Sequence, residues 1–186
     1  MTGRAPAAGA APGGAREEEP VRLLPGLSAV RVRAAGREVA AGVRAEHVVY
    51  VNTGPPYRLL ETLDGTTRAT RGTPGDVAVV PAGLELTARS ADGSPQELRP
   101  LALLLAPALL EEVLAAAGVP AARRALVPAV GVRSPEVAQL GQLLAAALPD
   151  RSGIGALAAQ SLGHALAVAV ARAHTGAREP VPARPR

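Results

Sequence analysis

Gly75-Asp76-Val77-Ala78-Val79-Val80-Pro81-Ala82-Gly83-Leu84-Glu85-Leu86 reads as one short strand held between two glycine turns. The run Val77 to Val80 is continuously apolar, the pattern of a strand covered on both faces. Gly75 and Gly83 permit the turns at its ends, and Pro81 sets the corner between strand and second turn.

Upstream, from about residue 27, short strand-like segments alternate with the turn signals Ala35-Gly36, Asn52-Thr53-Gly54-Pro55-Pro56 and Asp64-Gly65. Asp64-Gly65 marks the clearest hairpin, Tyr57 to Arg71, because both residues tolerate the positive φ of a tight two-residue turn. Downstream, Asp92-Gly93 precedes Leu101 to Leu105, an apolar run expected to be the last strand, buried on both faces.

From Pro107 onward the period changes to that of helices. Leu109, Leu110, Val113, Leu114 and Ala117 recur at helical spacing before Gly118. Ser134-Pro135-Glu136 predicts a second helix start, with a hydroxyl cap, proline in the first turn and a carboxylate at the positive end of the dipole. Its apolar stripe ends at Pro149, and a third helix is expected from about Gly155 to His174, antiparallel to the second. Strands followed by helices, without a βαβ repeat, give an α+β fold: a small β-barrel or jelly roll, then two or three packed helices. The expected division is a disordered tail over 1–20, the barrel over 21–106, helices over 107–175 and a Pro/Arg tail over 176–186.

Composition narrows the chemistry. All twenty basic residues are Arg, which raises the isoelectric point while the net charge stays at +4. Only Arg123 and Arg124 are adjacent within the body of the chain, so a mixed solvated surface is expected rather than a phosphate-binding patch. The absence of Phe and Trp, with only two Tyr, removes the usual stacking platforms for single-stranded nucleic acid. Without Cys there is no thiolate metal site, disulfide or cysteine nucleophile. No signal-peptide core and no uninterrupted stretch of about 20 apolar residues is read along the chain, so the expected location is the cytoplasm.

The spacing from Gly75 to Gly83 resembles the second motif of the cupin barrels, in which a Gly, five residues, Pro, one residue and Gly precede a His by two residues. The His position is Leu86 here, which cannot ligate a metal, and no histidine lies between His47 and His164. A larger part, residues 45 to 175, resembles the sensor half of AraC-type transcription regulators. The matching features are the His-led strand His47-Val48-Val49-Tyr50-Val51-Asn52, the Asp64-Gly65 hairpin, Gly75-Asp76-Val77, Val80-Pro81-Ala82-Gly83, the Pro107 helix, Ser134-Pro135, and the final helix around Gln160-Ser161-Leu162-Gly163-His164. That resemblance implies a cupin-like sensor and dimerisation domain, with the family's carboxy-terminal helix-turn-helix region lacking: Thr175 to Arg186, with three prolines, holds no recognition helix.

Small-molecule sites combine apolar walls with a few convergent polar groups. The strand residues suited to that role are His47, Tyr50, Tyr57, Arg58 and Glu61, although alternation sets Tyr57 and Glu61 on one face and Arg58 on the other. Asp64, Gly65, Gly75, Asp76, Pro81 and Gly83 carry turn and motif roles. Leu140, Leu143, Leu144, Leu157, Leu162 and Leu166 form the helical stripes expected to pair with another subunit. His164 fits a core or interface histidine, and His174 a helix carboxy terminus.

Glu111 and Glu112 are sequence neighbours on a helix and project apart, so they cannot act as an acid and base pair. No Gly-x-Ser-x-Gly and no phosphate-binding glycine loop is present. The resulting expectation is a non-enzymatic regulatory domain without cofactor or metal. It would act as a homodimer, or as a heterodimer with an intact regulator, and respond to a small-molecule effector without binding DNA or membrane itself. A small non-metal cupin-fold enzyme or binding protein, and a decayed regulator without function, are the alternatives.

Overall fold

The computed structural model describes residues 16–176. Its strands are β1 (Arg16–Glu17), β2 (Val21–Leu24), β3 (Leu27–Gly36), β4 (Glu38–Val43), β5 (His47–Asn52), β6 (Tyr57–Leu63), β7 (Thr66–Gly72), β8 (Asp76–Val80), β9 (Glu85–Ser90), β10 (Gln96–Leu98), β11 (Pro100–Leu105) and β12 (Ala129–Arg133). Its α-helices are α1 (Pro107–Ala116), α2 (Pro135–Ala147) and α3 (Gly153–His174). The class is α+β, as the sequence pattern predicts.

The strands form two antiparallel sheets. The larger runs β1-β3-β11-β5-β8-β12, with β2 and β10 also paired to the long β3; the smaller runs β4-β9-β6-β7. Alternation along the larger sheet divides its side chains cleanly. Leu27, Ala29, Val49, Val51, Val77, Val79, Leu101, Leu103 and Leu105 face the helices and share one core with Leu110, Leu114, Val137, Leu144, Leu166 and Val170. Val30, Val32, Val48, Val80 and Ala102 point the other way, to Leu63 and Leu86 of the smaller sheet. The larger sheet is thus the middle of three layers, which is why β8 is buried along its whole length.

The hairpin forms as predicted: Asp64 and Gly65 sit at φ 51° and 71°, and the register pairs Tyr57 with Gly72 and Leu63 with Thr66. Gly75 and Gly83 are also left-handed, at φ 89° and 82°, at the two ends of the strand quoted above.

Close helix packing relies on small residues. A Cβ placed on Gly141 of α2 would stand 2.8 Å from Val51 Cγ2, so α2 lies directly on β5. The exposed Arg172–Glu136 pair at 3.2 Å links the end of α3 to the start of α2, as the antiparallel packing of the two helices places them.

Several expectations are corrected. Residues 16 and 17, assigned to the tail, pair with Arg33 and Val32, and the Glu18 amide donates to the Arg31 carbonyl; residues 1–15 of that tail lie outside the described residues. The 107–175 segment is not wholly helical, since β12 returns to the sheet beside β8, and Leu101 to Leu105 is not the last strand. At the far end, the Gly176 carbonyl accepts a bond from Arg123, while the rest of the expected Pro/Arg tail, 177–186, is outside the described residues. Ser134 precedes α2 but its hydroxyl makes no cap bond, its carbonyl instead accepting the Ala138 amide; Ser152 caps α3 through Gly155.

The apolar-stretch reading also changes. α3 has 22 residues and a mean hydropathy of 1.6, enough by length and composition to cross a bilayer. It packs on β2, β3, α1 and α2, but only 44% of the most apolar window is buried, and Ile154 and Leu157 are largely exposed.

Candidate functional site between the sheets

β6 presents Tyr57, Leu59, Glu61 and Leu63 to the larger sheet, because residues two apart share a face. The Tyr57 ring lies over Gly72, where a Cβ would stand 2.1 Å from Cζ, so the glycine opposite makes room for the aromatic ring.

Glu61 is 4% exposed. Thr70 stands diagonal to it on β7, and Glu61 Oε2 is buried without a partner. Burial pushes this carboxyl above its ordinary value, and the nearby Thr70 hydroxyl opposes that only in part. Asp76 is also buried, but its Oδ2 accepts from the Thr73 amide at 2.7 Å and hydroxyl at 3.0 Å, and Arg133 lies 3.8 Å from Oδ1. The Tyr57 phenol is pushed well up, first by burial and then by the Glu61 and Asp76 carboxylates, so the three groups sense one another.

Of the five strand residues singled out in the sequence, the structure brings Tyr57 and Glu61 together and adds Asp76. Tyr50 also faces inward, between Ala78 and Ala102 in register, but its electrostatic neighbours are Arg44 and Glu17, which pair with each other. Burial raises the Tyr50 phenol, and the Arg44 guanidinium partly offsets this. His47 is on the opposite face of β5, where its Nδ1 accepts the Ala82 amide at 2.9 Å. Arg58 is exposed on the outside of the smaller sheet, as alternation predicts, and its amide donates to Gln96.

Thr70 was not singled out in the sequence. The signal was available, because a two-residue turn at Asp64-Gly65 fixes the register and places Thr70 diagonal to Glu61. Asn52 was also missed: it is 4% exposed, its Oδ1 accepts the Gly54 amide and its carbonyl the Gly75 amide, so it braces the loop beneath the site.

Leu86, at the cupin histidine position, is buried opposite Leu63. Among the described residues no group of three His, Cys, Asp or Glu side chains converges as metal ligands would.

The helical stripe divides in two. Leu144 and Leu166 are fully buried inside this chain and cannot meet a partner, a correction to the expected pairing surface; Leu140 and Leu162 are half-buried. Leu143 and Leu157 are 50% and 64% exposed near the turn of the helical hairpin, beside Ile154 in sequence at 83%.

No family model matches the chain, and no curated protein matches its sequence. Among solved structures it is similar to the cupin domain of Cnp3 from Schizosaccharomyces pombe, at 15% identity over 61% of this chain and 77% of that one, with a TM-score of 0.41. It is similar to EutQ of Clostridium difficile at 12% identity over 50% and 68% of the two chains, with a TM-score of 0.39. A cupin superfamily protein of Desulfitobacterium hafniense is 15% identical over 50% and 77%, with a TM-score of 0.38.

Proposed function

We propose that this chain is a regulatory ligand-sensing and dimerisation domain, of the kind that forms the amino-terminal half of AraC-type transcription regulators, and that it works by binding rather than catalysis. The observation that carries the reading is the Glu61 carboxylate, buried between the sheets with Oε2 unpartnered. Leaving a buried acceptor unmade costs about 1–3 kcal/mol, a cost that a bound donor would recover. Catalysis would ask for a second group acting with it, but the phenol beside it is held protonated and Asp76 is engaged with Thr73.

The layer order supports a regulatory output. Tyr50 and Asn52 face the interior from β5, Val51 between them faces α2, and Gly141 leaves no slack there. A ligand that moved β5 would therefore move α2, and with it the exposed Leu143. The partner would be a second copy or an intact regulator, docking on the exposed leucines of α2 and α3.

The test is a small-molecule screen read by nuclear magnetic resonance with tyrosine rings labelled. The chain has two tyrosines, both inward-facing, so the spectrum is two ring signals. A ligand that shifts the Tyr57 signal in the wild type and not in Glu61→Gln is expected. A broad screen that moves neither tyrosine would overturn the reading.

A further inference from the structure

We infer that the site at Glu61 takes a small aliphatic primary ammonium ion, its nitrogen bonded to Glu61 Oε2 beside the Tyr57 ring. This rests on the ligand-binding reading above and names the ligand class.

Charge comes first. Two carboxylates, Glu61 and Asp76, are buried near one phenol. None of the ion pairs among the described residues includes Glu61. Arg133 near Asp76 is 81% exposed and stands 3.8 Å away. Arg68, opposite Glu61 in register, is exposed, and Arg44 pairs with Glu17 through Nη2 while its Nε is buried without a partner. An anionic ligand would therefore enter against two buried like charges. A neutral alcohol would satisfy one lone pair and leave the charge uncompensated. An ammonium ion supplies both a donor and the opposite charge, and such charge-assisted bonds are about twice as strong as neutral ones.

The neighbouring ring also fits such a ligand. Tyr57 offers an aromatic face, which attracts cations.

The experiment titrates n-butylammonium chloride, n-butanol and sodium butyrate, three probes of one length and three charges, into tyrosine-labelled full-length protein. The expected result is that butylammonium shifts the Tyr57 ring signal and binds at least tenfold more tightly than butanol, with butyrate weakest. Glu61→Gln should abolish that tenfold preference. Butanol binding as tightly as butylammonium, or an ammonium preference surviving in Glu61→Gln, would overturn the cation assignment while leaving the site in place. No shift of Tyr57 with any of the three at millimolar concentration would also overturn it, and the broad screen described above then decides separately whether the site binds anything. All three arms can be run on the wild type alone, so the assignment stays falsifiable even if a variant fails to fold.

Discussion

The Nδ1 atom of His47 accepts the backbone amide of Ala82 at 2.9 Å, tying the first residue of β5 to the corner that ends β8. The bond requires Nδ1 to be free of a proton, and burial lowers the imidazole below its ordinary value of 6.5. A histidine depressed in the folded state takes up its proton more readily once unfolded. Stability from this group is therefore complete above about pH 6.5 and is lost as pH falls from there through the folded value. Urea midpoints measured from pH 7.5 to 5 should fall for the wild type more steeply than for His47→Leu. At pH 7.5 the variant should be less stable by about 1 kcal/mol, the usual worth of one hydrogen bond. Parallel curves would remove His47 from the pH response.

Glu61 titrates in the opposite sense. Its folded value is raised, so the folded protein holds this proton more firmly than the unfolded chain does. The cost of ionising it is absent well below its ordinary value of 4.5 and is fully present above its folded value. Glu61→Leu, lying between Leu59 and Leu63, should raise stability at pH 7 by about 1–3 kcal/mol and by much less at pH 4. Thermal melts at the two pH values check this; destabilisation at pH 7 would mean that the carboxylate is structural. A residue that weakens the fold while occupying its interior is the pattern of one kept for binding.

Gly141→Ala sets two effects against each other. In an exposed helix the change gains about 1 kcal/mol in propensity. Here the new Cβ would stand 2.8 Å and 3.0 Å from the two γ-methyls of Val51, a β-branched side chain with little freedom to rotate away. Overpacking should win, with a net loss of about 1–3 kcal/mol in denaturant unfolding. A stabilised variant would show that α2 can lift from β5 freely, and the coupling proposed between them would lose its basis.

Leu143→Glu and Leu157→Glu alter residues that are at least half exposed, so each should leave the melting temperature within a few degrees of wild type. Sedimentation at increasing concentration should show the wild type associating to a dimer and the double variant staying monomeric. A wild type that remains monomeric at high concentration would exclude pairing through the helical hairpin.

Much of this architecture was legible beforehand because local chemistry and tertiary packing agree. Asp64-Gly65 demanded a left-handed pair and formed one, and the apolar runs at Val77 and Leu101 became strands covered on both faces. β12 escaped notice because Ala129-Val130-Gly131-Val132-Arg133 is short, interrupted by glycine and framed by helices; only its partner β8 makes it a strand. β1 was hidden in the same way, two charged residues held by β3. Within the site, alternation correctly separated Arg58 from Tyr57 and Glu61. It could not distinguish the inner from the outer face of β5, which is apolar on both sides, so His47 and Tyr50 were grouped although they face opposite layers. The helical leucines were over-assigned for a related reason: a stripe shows which residues avoid water, and the sheet claimed Leu144 and Leu166 before any second chain could.

The late return of β12 has a consequence for anyone who would treat this protein as separable parts. A chimera joined after Ala106 would carry β8 with one side of its backbone unpaired, because the segment that covers it arrives only at Ala129 to Arg133. The helices cannot be grafted elsewhere as a cassette without taking that strip of sheet along. During synthesis the shell likewise stays unfinished until the chain has passed the first helix, so the two halves mature as one unit.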